Sequence, residues 1–267
     1  MNPDVLTTGS LPIIFSVALL LGFLSPLVGI ILVMRRFSLL ADTLAHVSLL
    51  GVAVSSIWGL PMTTGAFVSA LLGGGGIELL RQSRRVLSEA TLAIFLSGSL
   101  ALAVIIFAWR GAQSDEIEAY LFGNLAWVTY QDLFLLVGIA IVLTIFFVAF
   151  YQQLFLVTLD EDLARVNGVA VNRLNMSFML LAATVVAAAM KVVGVLLVGA
   201  LIVLPVMAAL QWRLGFKHTL WLGLALSQCS VGLGFALAFF GGLPSGASIA
   251  FVALIIFLIS YTLHLGR

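Results

Sequence analysis

The chain is built of apolar runs long enough to cross a lipid bilayer, joined by short connections. A hydrocarbon core about 30 Å thick takes about 20 helical residues to span. Nine such runs can be read, at 11–33, 38–57, 62–80, 87–109, 131–150, 174–191, 194–212, 219–240 and 246–264. The division near Gly194 is the weakest, because 174–212 has no polar break, so eight crossings stand as the alternative. None of the runs has the alternation of an outer-membrane strand, and all are too long for one. The expected fold is all-α, a polytopic membrane helix bundle of nine (or eight) transmembrane helices forming a single domain over 1–267.

Composition supports this and excludes alternatives. Apolar residues make up 63% of the chain and charged residues 9%, against about 25% charged in a soluble globule. A water-soluble monomer is excluded. With 12 Lys and Arg against 11 Asp and Glu, the chain has no electrostatic footprint for nucleic acid. One cysteine, Cys229, rules out an internal disulfide, and its apolar neighbours predict an inert thiol buried in the bundle. Asn2, Pro3 and Asp4 precede the first run without the basic residues of a signal peptide, so that run is expected to be a retained helix.

Charge in the connections sets the orientation. Arg35 and Arg36 follow the first run, Arg81, Arg84 and Arg85 the third, Arg213 and Lys217 the seventh, and Arg267 the last. The connection after the fourth carries Asp115, Glu116 and Glu118 against one Arg110. Positive residues stay on the cytoplasmic side. Nine alternating crossings from an external N-terminus place all the basic connections there.

The longest polar interruption, 151–173, falls on the same side. Its acidic cluster Asp160, Glu161 and Asp162 suits the first turn of a short helix. Leu163, Val166 and Ala170 would then share an apolar edge. Such a helix is either a docking element for a partner or an interfacial connector on the headgroups.

Glycines lie mostly within the apolar runs, where small residues mark helix contact faces. Gly194 and Gly199, Gly232 and Gly234, and the run Gly73–Gly76 are the candidates. The tetraglycine run either bends its helix or admits a close neighbour. It is not a phosphate-cradling loop, because no Gly-Lys-Ser/Thr ending exists in the chain.

One pair of polar residues sits where hydrocarbon makes it expensive. Asp42 and His46 are four apart and share one helix face, about 6 and 12 Å along a helix that starts near Ser38. Intramembrane groups of this kind face a cavity or the bundle interior. A carboxylate and an imidazole aimed at one point suit zinc, manganese or iron better than calcium or magnesium. The remaining ligands would come from water, other helices or a second copy of the chain. A proton relay and a packing hydrogen bond between the two side chains are the other readings of the spacing. Glu89 and Lys191 are weaker candidates. Glu89, after Ser88, fits the first turn of a helix, and Lys191 is near enough to an external turn to snorkel. His218 and His264 lie at cytoplasmic helix ends.

The stretch FSLLADTLAHVSLLGVAV resembles the second-helix signature of the permease subunits of bacterial zinc, manganese and iron ATP-binding cassette importers, with Asp42, His46 and Gly51 at its fixed positions. MKVVGVLLVGALIVLPVMAA, with Lys191, Gly194 and Pro205, resembles a later signature of that family, and EAYLFGNLAWVTYQDL its Leu-Phe-Gly segment. DEDLARVNGV resembles its coupling segment, with Asp162, Leu163, Ala164 and Gly168 matching. Ala41 departs from the glycine usual there. The resemblance covers nearly the whole chain and is closest in wording to zinc permeases.

It implies a type II importer-like fold and a homodimer enclosing a path, in the bacterial inner membrane and in contact with its lipids. Asp42 and His46 would pass the metal. Cytoplasmic ATPase subunits would dock near 160–170 and drive alternating access, and an extracytoplasmic metal-binding protein would deliver the ion. No permanent cofactor is implied, only the transported zinc, manganese or iron, and hydrolysis would fall to the separate ATPase chain. A proton-coupled carrier using the same pair is the alternative. An intramembrane protease is disfavoured, since there is no His-Glu-x-x-His and the PSGAS at 244–248 has no nearby histidine to activate a serine.

Overall fold

A computed structural model describes residues 11–83, 88–111, 120–123 and 128–264. Among them, eleven helices follow in order: α1 Leu11–Met34, α2 Leu39–Ile57, α3 Met62–Gln82, α4 Ser88–Arg110, α5 Tyr130–Ala149, α6 Tyr151–Leu159, α7 Glu161–Val166, α8 Val171–Val193, α9 Val195–Leu210, α10 Phe216–Gly241 and α11 Ser245–His264. No strand occurs among the described residues. Arg84, Arg85, the acidic residues Asp115, Glu116 and Glu118, and Arg267 lie outside them.

Eight of the helices are long and apolar enough to cross a membrane. The other apolar one, α9, has 16 residues and is about 24 Å long. Side-chain contacts show that it nevertheless runs from one end of the bundle to the other. Gly194, just before it, packs against Gly123 and Phe122. Beyond its far end, Phe216 packs edge-on to Tyr151 and tilted against Phe155, with ring centroids 5.7 and 5.2 Å apart. Those two rings belong to α6, beside the basic connections. Trp212 there donates to Ser260 near the end of α11 at 2.9 Å. All nine apolar helices therefore alternate, and the weak division at Gly194 is a real one. Its φ of +90° breaks the helix between α8 and α9.

Burial sorts the helices into interior and rim. In α1 and α2, 78% of the most apolar window is buried, against 22% in α5. Helix α2 packs on α3, α4 and α9, and α1 on α9 and α10. The rim helices turn Phe134, Ile141, Ile145 and Val148 of α5 outward, as lipid allows. This explains one failed expectation. Cys229 is exposed on α10, not buried. Apolar neighbours in sequence signal the core in water, but in a bilayer they equally signal the lipid face.

The glycines divide by what faces them. A Cβ on Gly51 of α2 would meet the carbonyl oxygen of Gly65 and the Ser69 hydroxyl on α3, so the two backbones touch. The tetraglycine run does not unwind α3, which stays helical through it. It instead seats three neighbours in one turn: Val47 of α2 on Gly73, Ala183 of α8 on Gly74, and Phe95 of α4 on Gly76. Gly234 packs on Ile249 of α11, but Gly232 has nothing within 4 Å and is not a contact residue within the chain.

Candidate functional site

Asp42 and His46 lie in the first half of α2, and the structure places the Asp42 side chain where α2 meets α9. The Asp42 carboxylate occupies the space a Cβ on Gly199 would need, so glycine there makes its seat. Asp42 is partly buried, and His46 is 9% exposed.

His46 Nδ1 lies 2.8 Å from the main-chain oxygen of Asp42. A carbonyl oxygen only accepts, so Nδ1 is the donor of this bond, and Nε2 is the ring nitrogen left to face another group. The ring's hydrogen bond goes to the Asp42 backbone and not to its carboxylate. Of the three readings of the spacing, the side-chain packing bond is the one this geometry disfavours. An imidazole held through Nδ1–H by a backbone oxygen, with Nε2 free, is the usual arrangement of a histidine that ligates metal. Among the described residues, no three His, Cys, Asp or Glu side chains cluster as a complete set of metal ligands. One chain supplies two donors here.

The segment between α5 and α8 folds as α6, α7 and a turn. Asp160 caps α7, its carboxylate accepting from the backbone N–H groups of Asp162 at 2.8 Å and Leu163 at 3.0 Å. Ala164 is fully buried, Leu163 is 50% exposed and Val166 86% exposed. The apolar edge thus consists of Leu163 and Val166; Ala170 lies beyond the helix, at the N-cap of α8. Gly168 has a φ of +80°, and a Cβ added there would meet nothing within 4 Å, so conformation alone calls for glycine. Its N–H donates to the Arg165 carbonyl and that of Val169 to the Ala164 carbonyl, both at 3.0 Å, closing the helix end.

Beneath α7 is a charged cluster that sequence reading missed. The Glu161 carboxylate accepts from Arg35 at the end of α1, from Arg81 of α3 at 2.9 Å and from Asn175 of α8 at 3.2 Å. Arg81 also pairs with Glu78 through two hydrogen bonds, of 2.7 and 2.9 Å. Glu78 is 1% exposed. Burial tends to raise the Glu161 pKa, but Arg35 and Arg81 outweigh it and hold the carboxyl below its ordinary range. Burial lowers the Arg35 pKa, partly offset by Glu161. Reading each charge in its own connection hides this cluster, because Glu161 is 126 positions from Arg35 and 80 from Arg81.

At the opposite end, Lys191 does not snorkel. Its ammonium bonds both carboxylate oxygens of Asp132, at 2.8 and 2.7 Å. Asp132 also closes the capping box of α5, accepting from the Thr129 N–H at 2.7 Å. The Thr-x-x-Asp spacing ahead of an apolar run was the available signal. The pair borders a cavity of about 160 Å³ that also involves Gln131, Tyr120 and Met62. Glu89 lies exposed in the first turn of α4, where dipole stabilisation accounts for it. His218 is exposed, and the side chain of His264 is outside the described residues.

A bundle of alternating apolar helices with a carboxylate–imidazole pair inside it and a capped, apolar-edged helix at its basic end is the form of a transporter's membrane subunit. The chain belongs to the ABC 3 transport family, which it matches over residues 11–264. It is 32% identical over 248 residues to the high-affinity zinc uptake system membrane protein ZnuB of Buchnera aphidicola, covering 91% of this chain and 93% of that one. It is 29% identical over 244 residues to the manganese import system permease protein ScaB of Streptococcus gordonii, covering 91% and 87%. Among solved structures it resembles PsaBC from Streptococcus pneumoniae in complex with Fab, with a TM-score of 0.83 and 29% identity over 94% of this chain and 91% of that one. The chain is a multi-pass permease of the bacterial inner membrane. Part of the Leu-Phe-Gly segment, 124–127, lies outside the described residues. Its Gly123 does not, and the reason for it is plain: a Cβ there would enter the backbone at Val193 and Gly194.

Proposed function

We propose that this chain is the membrane subunit of an ATP-driven importer of divalent metal, with zinc as its cargo, and that Asp42 and His46 hold the ion in transit. The observation that carries the reading is the His46 hydrogen bond. With Nδ1–H given to the Asp42 carbonyl, Nε2 is the nitrogen that would ligate a metal, beside a carboxylate that rests on Gly199. A second copy of the chain facing the first would double the set to two nitrogens and two carboxylates, enough for a four-coordinate zinc ion. An extracytoplasmic binding protein would present the ion at the Lys191 end. ATPase subunits would dock on α7 through Leu163 and Val166, with Asp162, Ala164 and Gly168 fixing that helix's shape, and would drive alternating access.

Relatives named for zinc and for manganese match this chain about equally well, and a nitrogen–oxygen donor pair accepts either ion. Uptake of zinc and of manganese by vesicles holding the chain with its ATPase therefore decides the cargo. Asp42→Ala and His46→Ala are each expected to abolish that uptake. Full uptake by both variants would remove the pair from the path. The same vesicles without the ATPase test the proton-coupled reading: uptake driven by a pH gradient alone would establish it in place of this one.

A further inference from the structure

We infer that Glu161 is the positioning residue through which movement of the docking helix α7 reaches the metal-bearing helix α2. The inference rests on the reading of α7 as the ATPase-docking element. Glu161 opens α7, but its carboxylate turns away from the exposed Leu163–Val166 edge and into the bundle, where it takes hydrogen bonds from Arg35, Arg81 and Asn175. One carboxylate thus ties a surface helix to the ends of α1, α3 and α8.

The connection continues to α2. The Arg35 and Arg81 guanidinium carbons lie 5.5 and 5.8 Å from the centroid of the Phe37 ring, so both cations that share Glu161 also sit on one aromatic face or edge. Phe37 leads directly into α2, its carbonyl accepting from the Leu40 N–H at 3.0 Å. Asp42 follows within the first turn of that helix. Between Arg35 and Phe37, Arg36 holds a left-handed φ of +60°, a strained conformation for a residue with a side chain. The tight turn keeps α1 and α2 from adjusting independently. Moving Glu161 therefore shifts Arg35 and Arg81 together, and with them the ring at the foot of α2.

A residue that only braces the fold would change how much protein assembles. A residue that conveys motion changes how much metal moves per ATP hydrolysed. The test uses the full chain with its ATPase subunit in vesicles, with zinc as the transported ion, and reads both rates. Glu161→Gln is expected to leave ATPase binding intact and hydrolysis within about twofold of the parent, while zinc moved per ATP falls at least about tenfold. Arg81→Gln is expected to lower the same ratio, and to add little when combined with Glu161→Gln, because both break one connection. Glu161→Asp, which keeps the charge, guards against a folding defect and is expected to restore part of the ratio. An unchanged ratio in Glu161→Gln, or a fall in transport that only follows loss of ATPase binding, overturns the inference. Leu163→Asp reports separately on docking. If that variant still binds the ATPase, it is the docking reading that has failed.

Discussion

The two ends of this bundle are held by different kinds of contact. At the basic end, α1, α3, α7 and α8 meet through side chains that share the Glu161 carboxylate. At the other end, backbones touch. A Cβ on Gly194 would enter the backbone of Leu121, Phe122 and Gly123, and one on Gly246 would meet the carbonyl oxygens of Val193 and Phe122. Side-chain charge clusters can lengthen, exchange partners and re-form. Backbone contacts between glycines have no such reserve. Under the proposed function the contrast has a use: the end on which the ATPase would dock is adjustable, and the far end would serve as the pivot, with the Lys191–Asp132 pair beside it.

The sharpest way to break this contrast is Gly194→Ala. Its φ of +90° is closed to alanine, and the methyl would strike main-chain atoms that cannot rotate aside. A destabilisation of about 2–5 kcal/mol is expected from overpacking and left-handed strain together. It is read as a lower melting temperature in detergent or as loss of folded protein from the membrane. A fully stable Gly194→Ala would mean that the far end adjusts after all.

Gly199→Ala tests the region between the ends. The methyl would displace the Asp42 carboxylate while leaving α9 free to stay helical. Zinc transport is expected to fall about ten- to hundredfold, the range seen when the support of a metal ligand is removed, with the melting temperature changed far less than in Gly194→Ala. Equal losses of stability in the two variants would show that Gly199 serves packing and not the seat of Asp42.

Most of the fold was legible because membrane helices announce themselves. Every apolar run became a helix, and even the doubtful break at Gly194 was marked by a glycine. The interior placement of Asp42 and His46 was legible for the same reason: two ionisable groups at helical spacing stand out in an apolar run. What sequence could not convey was partnership at a distance. Lys191 looked like a snorkelling residue because Asp132 is 59 positions away. Glu78 gives no sign of its burial in the sequence, yet it is almost wholly buried. Cys229 was misplaced because hydrophobicity does not distinguish the core from the lipid face.

The Lys191–Asp132 pair gives the next smaller effect. Both side chains are about four-fifths buried, and Asp132 keeps its Thr129 cap when the lysine is lost. Lys191→Met is therefore expected to cost about 1–2 kcal/mol, near the low end for a hydrogen bond to a charged group. The double variant Lys191→Met/Asp132→Asn should cost less than the two single losses taken together, since the second change removes a charge the first left unpaired. Additive losses in thermal melts would show that each residue acts through other neighbours, and the far end would then rest on its glycines alone.

The smallest effect concerns acid, and it probes the adjustable end. Arg35 and Arg81 hold the Glu161 carboxyl below its ordinary value of 4.5 despite its partial burial. A carboxyl whose pKa is depressed on folding contributes stability that is full above the unfolded value. That contribution fades as pH falls through the lower, folded value. The parent chain should therefore lose part of its melting temperature as pH falls from about 5 to about 3. Glu161→Gln, which has no proton to take up at that position, should lose less over the same interval. Other carboxylates titrate in both proteins, so the quantity that matters is the difference between the two slopes. Parallel slopes would mean that Glu161 is not held ionised by its arginines, and the ion-pair character of the basic end would have to rest on Glu78 and Arg81 instead.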